Sequence, residues 1–515
     1  MFSRLTATIA LGLLAAAQAR TGGLTVRTHQ GDVVGTQASP SVRRFLGIPY
    51  AIADRWEAPR PPPQRNESFL ATEFGDSCPQ ALDPVTAQLF RFTDIQDTVI
   101  ESEDCLSVNI WAPSTERKQK TAVMLWVYGG GFQTGTSNSS LYDGEHLVQN
   151  HDDILVVTFN YRTNLLGQPN APQLVNSTQS QNFGLLDTDA AIQWVYDNIA
   201  AFGGDPERIT LLGESAGGVT TDAYTFMRPN DTRVKGVIIE SGTLGTPVTG
   251  AALPQYNSSD HTIWNTLASA VGCGNATDAS QLGCMKGVPF RKLIDVALNT
   301  TLTFFPVADG ITIFADTRTR AEAGNFLKVP VLLGHNAQEG DVLTLSVQNV
   351  SLGFTIPLLA ELTADITTEL TFACPTAQTA NDRVQANVSV WRYEYQAVFP
   401  DISRYPGLRA YHGSELPLVW GTSERSRSEE EVALSKYMQG AWVAFARDPV
   451  NGLNAYGWPQ YTGNTSTTLA ELGGFYNKTG ISFTRGELVD FLCNATDTLL
   501  SIQSELGKLV PGGLF

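Results

Sequence analysis

A chain of 515 residues that is 42% hydrophobic and only 17% charged can bury a large core, which argues against disorder. Its formal net charge of −17 argues against nucleic acid or an anionic membrane surface as a partner. Acidity keeps such a protein soluble but does not name a substrate.

Residues 1–19 read as a secretory signal peptide. Arg4 is a minimal positive region, residues 5–16 an apolar run, and Ala17-Gln18-Ala19 a small-residue cleavage site. The run is too short to span a bilayer. Residues 506–515 form neither a retention tetrapeptide nor an anchor-signal tail. The expectation is a secreted, extracellular protein with no stable membrane anchor. Six cysteines, an even number, agree with an oxidising compartment. Proximity favours Cys78–Cys105 and Cys273–Cys284, leaving Cys374–Cys493. Twelve of the 25 asparagines stand in N-x-S/T sequons, at 66, 138, 176, 230, 257, 275, 299, 349, 387, 464, 477 and 494. Chance would give about four, so N-linked glycans are expected.

Residues 20–515 read as one α/β domain. Residues 24–46 alternate loosely between glycines, the pattern of an antiparallel edge sheet. The proline cluster at 59–63 must run as an extended loop. Between Cys78 and Cys105 lies a polar loop with an apolar patch at Leu89, Phe90 and Phe92. It is either a tethered flap over a pocket or a surface loop whose aromatics pack on the core. Near-continuous apolar runs at 123–127, 154–159, 209–212, 237–239 and 329–333 predict parallel strands covered on both faces. The spacing over 185–202 predicts a helix ended by Gly203-Gly204. Segments 250–330 and 340–385 read as helix-rich insertions. The sheet runs give way to Gly129-Gly-Gly131, Asn160-Tyr-Arg162, Gly213-Glu-Ser-Ala-Gly217, Glu240-Ser241 and the loop leading to Glu339. The C-terminal edge of an open α/β sheet is where sites assemble.

Gly213-Glu-Ser-Ala-Gly217 is a GxSxG pattern between a strand and a helix, a nucleophile elbow with Ser215 at its apex. Glycines flank the serine because side chains would collide in so tight a turn. A serine hydroxyl needs a base to remove its proton, and the base needs a carboxylate to fix its tautomer. Of six histidines only 261, 335 and 412 follow Ser215, as this chain order requires. His412, with Gly413 after it on a loop, is the candidate base. His335, directly after a buried strand, reads as a locally bonded loop histidine. His261 heads a helical segment. Glu339, beyond a strand and followed by Gly340, is the candidate acid. Tyr128-Gly-Gly-Gly-Phe132 lets the backbone approach a carbonyl oxygen, so the N–H groups of Gly130 and Gly131 would join that of Ala216 in an oxyanion hole.

Phe45-Leu-Gly-Ile-Pro-Tyr-Ala51, Ser102-Glu-Asp-Cys-Leu106, Tyr128-Gly-Gly-Gly-Phe132, Asn182-Phe-Gly-Leu-Leu-Asp187, Phe202-Gly-Gly-Asp-Pro206, Gly213-Glu-Ser-Ala-Gly-Gly218 and Tyr411-His-Gly-Ser-Glu415 occur in order. Together they make the chain similar to the type-B carboxylesterase/lipase family of α/β-hydrolases, which includes fungal lipases and cholinesterases. The resemblance runs from about residue 22 to about residue 500. It implies an α/β-hydrolase fold, a central mostly parallel sheet with helices on both faces and helical insertions. It implies ester hydrolysis through an acyl-enzyme on Ser215, with Glu339 and His412, and an oxyanion hole of Gly130, Gly131 and Ala216. Ser241 would stand behind the triad, and Glu214 would shape its electrostatics. Buried ion pairs are implied for Arg55–Glu103 and Arg162–Asp187, and disulfides for Cys78–Cys105 and Cys273–Cys284. No metal or cofactor is implied, and the partner is a small-molecule ester. The Cys78–Cys105 segment holds no tryptophan, which argues against a quaternary ammonium substrate. It is also short for a lipase lid, which favours soluble esters over long triglycerides. A lipase acting on longer-chain acylglycerols, or a catalytically silent binding member of the fold, are the alternatives.

Overall fold

The computed structural model describes residues 23–93, 99–175, 178–246, 259–274, 278–423 and 427–495. The expected signal peptide and the sequons at Asn176, Asn257 and Asn275 lie outside the described residues.

Fourteen strands are found among the described residues: β1 Thr25–Thr28, β2 Gly31–Val34, β3 Thr36–Ser39, β4 Val42–Pro49, β5 Phe69–Leu70, β6 Ser107–Pro113, β7 Thr121–Val127, β8 Ile154–Phe159, β9 Gly204–Glu214, β10 Val234–Glu240, β11 Val331–Asn336, β12 Val390–Tyr395, β13 Thr467–Leu472 and β14 Ile481–Arg485. Eleven form one sheet in the order β14-β13-β12-β11-β10-β9-β7-β8-β6-β4-β3. Pairing is parallel from β8 through β13 and antiparallel at both ends. β1, β2 and β5 form a separate three-stranded sheet. Every residue of β7 and β8 is buried, as expected of strands covered on both faces.

Several predicted elements recur with shifted ends. The helix expected at 185–202 is Phe183–Phe202, and Gly203 ends it in the left-handed conformation at φ 98°. The strand expected at 329–333 is β11, which runs on to Asn336. His335 therefore lies within the strand, buried, with Nδ1 3.1 Å from the Asn336 carbonyl, and not on a loop after it. The segment between Cys78 and Cys105 is not the expected loop throughout. It contains the helix Pro84–Thr93, whose first turn is capped by Asp83 accepting from the N–H groups of Val85 and Thr86 at 2.8 and 3.1 Å.

Three disulfides join Cys78 to Cys105, Cys273 to Cys284 and Cys374 to Cys493. Arg162 grips Asp187 with Nη2–Oδ1 at 2.7 Å and Nε–Oδ2 at 2.8 Å, and Arg55 Nε meets Glu103 Oε2 at 2.7 Å. Both are the expected pairs, and the first is almost wholly buried. Among the described residues no helix is long and apolar enough to cross a membrane.

Candidate active site

β9 ends at Glu214 and the helix Ala216–Met227 starts one residue beyond Ser215. Ser215 stands between them at φ 56° and ψ −125°, a costly conformation for a residue with a side chain. Close backbone approaches hold it there. A Cβ on Gly217 would lie 2.0 Å from the Val127 carbonyl oxygen, and one on Gly242 2.2 Å from that of Ser215. The Ser215 N–H donates to the Glu240 carbonyl at 2.9 Å. Only glycine allows the chain segments to pass so near. The serine is thereby raised off the sheet edge into a cavity of about 1200 Å³.

The glycine triplet lines the same cavity. Gly130 and Gly131 have φ of 116° and 60°, conformations that disfavour any side chain. The N–H groups of Gln133 and Thr134 fold back onto the Gly130 carbonyl at 3.0 and 3.1 Å. A Cβ on Gly129 would meet Glu214 Oε2 at 2.7 Å and Ser215 Cβ at 2.8 Å, so this glycine lets the loop lie against the elbow.

The loops carrying Glu339 and His412 are tied to each other. The Asn336 N–H donates to Glu339 Oε1 at 2.7 Å, while Asn336 Nδ2 donates to the Tyr411 carbonyl at 2.7 Å. The Gln338 N–H donates to the Ala410 carbonyl at 3.0 Å, and the Ala410 N–H to Gln338 Oε1 at 3.1 Å. Across this seam His412 Nδ1 sits 2.6 Å from Glu339 Oε2. Gly413, at φ 82°, allows the turn after the histidine. Gly340 has another use than the tight turn expected: a Cβ there would strike the Ala364 carbonyl at 2.1 Å, so it admits the helix Pro357–Thr367.

Two contacts of His412 were not read from the sequence, although the resemblance already implies an electrostatic part for Glu214. Its Nε2 lies 3.2 Å from Glu214 Oε1, the residue before the serine. Its ring packs on Phe372, centroids 4.8 Å apart, and Phe372 belongs to a π-helical turn, Thr368–Ala373, that no spacing rule foretells. Burial pushes the Glu214 carboxyl up to about 7, opposed by His412 and aided by Glu339. Burial opposes the charged imidazole of His412, but Glu214, Glu339 and Glu415 outweigh it and push it up to about 9. The two groups compete for the proton at Nε2. On His412 it makes an ion pair with Glu214; on Glu214 it leaves the Nε2 lone pair available.

Behind this pair lie two further buried carboxyls, Glu240 and Glu415. Trp442 Nε1 donates to Glu240 Oε1 at 3.1 Å, and Asn336 Nδ2 donates to Glu415 Oε2, while the second oxygen of each lacks a partner. Burial pushes Glu240 up to about 8 and Glu415 well above the usual carboxylate range. Ser241 lines the cavity with its hydroxyl buried and unpartnered. Glu369 approaches Cys374 Sγ and Cys493 Sγ at 3.8 and 4.0 Å, but both sulfurs are spent in a disulfide and offer a metal no thiolate.

The remaining walls come from the insertions. The helix Pro84–Thr93 turns Leu89 and Phe90 to the cavity, and Phe132, Leu343 and Phe372 face them. Gln80, Glu101, Gln133 and Arg291 add polar groups to its lining.

A mostly parallel sheet with a serine on a strained strand-to-helix turn, and a carboxylate–histidine pair on later loops, defines an α/β-hydrolase. The chain belongs to the carboxylesterase family, which it matches over residues 23–352 and 359–476. It is 34% identical over 480 residues to Secreted lipase 5 of Gibberella zeae, covering 85% of this chain and 88% of that one. It is 35% identical over 449 residues to a chlorogenic acid esterase of Aspergillus niger, covering 84% of each. A solved PNB esterase structure superposes with a TM-score of 0.73 at 28% identity, covering 93% of this chain and 99% of that one. The activity is carboxylic ester hydrolysis.

Proposed function

We propose that this chain is a secreted serine esterase acting on soluble carboxylic esters, with Ser215, His412 and Glu339 as its catalytic triad. The observation that carries the assignment is the convergence of Ser215, His412 and the glycine triplet on one cavity, with Glu339 2.6 Å behind the histidine. His412 Nε2 exchanges Glu214 for the Ser215 hydroxyl and takes its proton as Oγ attacks the ester carbonyl. The N–H groups of Gly130, Gly131 and Ala216 stabilise the oxyanion. The same Nε2–H then protonates the departing alkoxide, leaving an acyl-serine. Water, deprotonated by His412, releases the acid and restores the serine. Secretion is supported by the name of the Gibberella zeae relative, by the N-terminal pattern and by the paired cysteines.

The mixed apolar and polar lining favours an ester with a sizeable acyl group and a polar alcohol. A lipase reading is favoured by the likeness to Secreted lipase 5 and by the helix Pro84–Thr93, which lines the cavity with Leu82 exposed beside it. Hydrolysis of nitrophenyl esters from acetyl to palmitoyl separates the two. A short- or medium-chain optimum, lost about 10⁵- to 10⁶-fold in Ser215→Ala, is expected. A long-chain optimum that jumps on emulsified substrate establishes the lipase. Activity retained in Ser215→Ala removes the proposed nucleophile.

A further inference from the structure

The two most exposed large apolar side chains among the described residues are neighbours: Phe475 at 88% and Tyr476 at 84%. Their rings meet edge to face, centroids 5.4 Å apart. They stand at the tip of the β13–β14 hairpin, at the end of the large sheet furthest along the chain. Solvent-facing aromatics of this size, together on one tip, ordinarily mark a surface that something covers.

The next residue is Asn477, the acceptor of the sequon Asn477-Lys-Thr479. It is the one sequon among the described residues that an aromatic pair immediately precedes. The loop is ordered around that side chain. The Gly473 N–H donates to the Gly480 carbonyl at 3.0 Å and closes the hairpin, and the Asn477 N–H donates to the Gly474 carbonyl at 3.1 Å. Asn477 Oδ1 accepts from Thr479 N and Oγ1 at 3.3 and 3.4 Å, which sets the sequon hydroxyl against the acceptor amide. Nδ2 donates to the Ile481 carbonyl at 3.0 Å, using one of its two hydrogens and leaving the other to be replaced.

Asn138 shows the opposite case. Its Nδ2 donates to the Gly75 carbonyl at 2.6 Å and to Ser77 Oγ at 3.4 Å, so both hydrogens are committed in a half-buried site. A sugar there would have to break one of these bonds.

We infer that Asn477 carries an N-linked glycan whose first N-acetylglucosamine lies on the Phe475–Tyr476 pair, and that Asn138 carries none. The ring faces are negative, so the polarised C–H groups on one face of a pyranose are attracted to them while the hydroxyls stay in water. The glycan then covers the apolar tip and shields β14, the strand at this edge of the sheet among the described residues. The inference rests on the secretory route proposed above.

The test is expression of the full chain, with its own N-terminus, in a eukaryotic secreting host, followed by glycopeptide mass spectrometry and thermal unfolding. Expected are a peptide bearing N-acetylhexosamine at Asn477 and an unmodified peptide at Asn138. Asn477→Gln should lower Tm by about 1–2 °C, and so should Phe475→Ala combined with Tyr476→Ala. Making the aromatic change in the Asn477→Gln background should cost nothing more, because the sugar they hold is gone. Glycans on other sequons with Asn477 bare overturn the inference while keeping secretion. Occupancy at Asn477 with strictly additive Tm losses overturns the aromatic seat. No glycan on any sequon overturns both the inference and the secretory route.

Discussion

His412 has a carboxylate on each ring nitrogen, Glu339 at 2.6 Å on Nδ1 and Glu214 at 3.2 Å on Nε2. In the proposed mechanism His412 presents Nε2 to the serine, so only the first contact is compatible with that role. Under that proposal, protonated His412 paired with ionised Glu214 is a state that turnover must leave. Activity therefore falls as pH drops through the histidine's pKa, which the facing carboxylates push up to about 9. Glu214→Gln removes the first of those carboxylates, so the pKa falls and the acid limb of kcat/KM moves to lower pH. A displacement of about 1–2 units is expected on nitrophenyl acetate. An unmoved limb would mean that Glu214 is neutral throughout the working range. The elbow at Ser215 and the turns of the glycine triplet were legible in the sequence because local steric rules dictate glycine there, whereas His412 was singled out by its place after Ser215 in the chain. The role of Glu214 at Nε2 was not, since it depends on the elbow and the His412 loop meeting in space. Phe372 left no trace, because a π-helical turn has no periodic signature.

The helix Pro84–Thr93 forms part of the cavity wall and is held from three directions. Cys78–Cys105 closes its segment across a separation of 27 residues. Val85 packs toward Val347 of the helix Gly340–Leu352, and Phe92 meets the ring of Tyr405 with centroids 4.9 Å apart. Opening the tether with Cys78→Ser and Cys105→Ser should cost about 3–4 kcal/mol of stability by loop entropy, read in denaturant unfolding. The packing contacts survive, so the helix should loosen without leaving. The kinetic expectation is a raised KM for medium-chain esters with kcat largely kept. Unchanged KM across the acyl series would show that this helix does not bound the acyl site. At this scale the sequence was read unevenly. Strands such as 123–127 and 154–159 announce themselves through uninterrupted apolar runs, and their positions held. The 79–104 segment read as a loop although Val85, Leu89 and Phe92 recur at helical spacing, because that pattern spans only ten residues inside a polar stretch. Its order comes from tertiary packing and the disulfide, which propensity cannot register.

For the whole molecule, acidity and burial pull stability in one direction. Burial pushes Glu240 up to about 8 and Glu369 up to about 7, and raises Glu415 and Glu394. In the unfolded chain such groups titrate near 4.3. Folded pKa values above unfolded ones mean that the native state holds these protons more tightly. The stability they contribute is complete below about pH 4 and is lost as pH rises through about 7–8. The net charge of −17 adds self-repulsion in the same range. Against this, the cations at Asp153 and Asp231 lower those carboxyls against the opposing effect of burial, and that contribution is lost as pH falls through their pKa. The stability maximum should therefore lie on the acid side, at about pH 5, below the range where His412 is free to act as base. Calorimetry from pH 4 to 9 should show Tm falling by several degrees between pH 5 and 8. Glu240→Gln, a permanent stand-in for the neutral carboxyl, should flatten that fall, since each unit of the Glu240 shift corresponds to about 1.4 kcal/mol. A Tm that rises toward pH 8, or a variant that follows the wild-type slope, would show that the buried carboxyls are not what sets the curve.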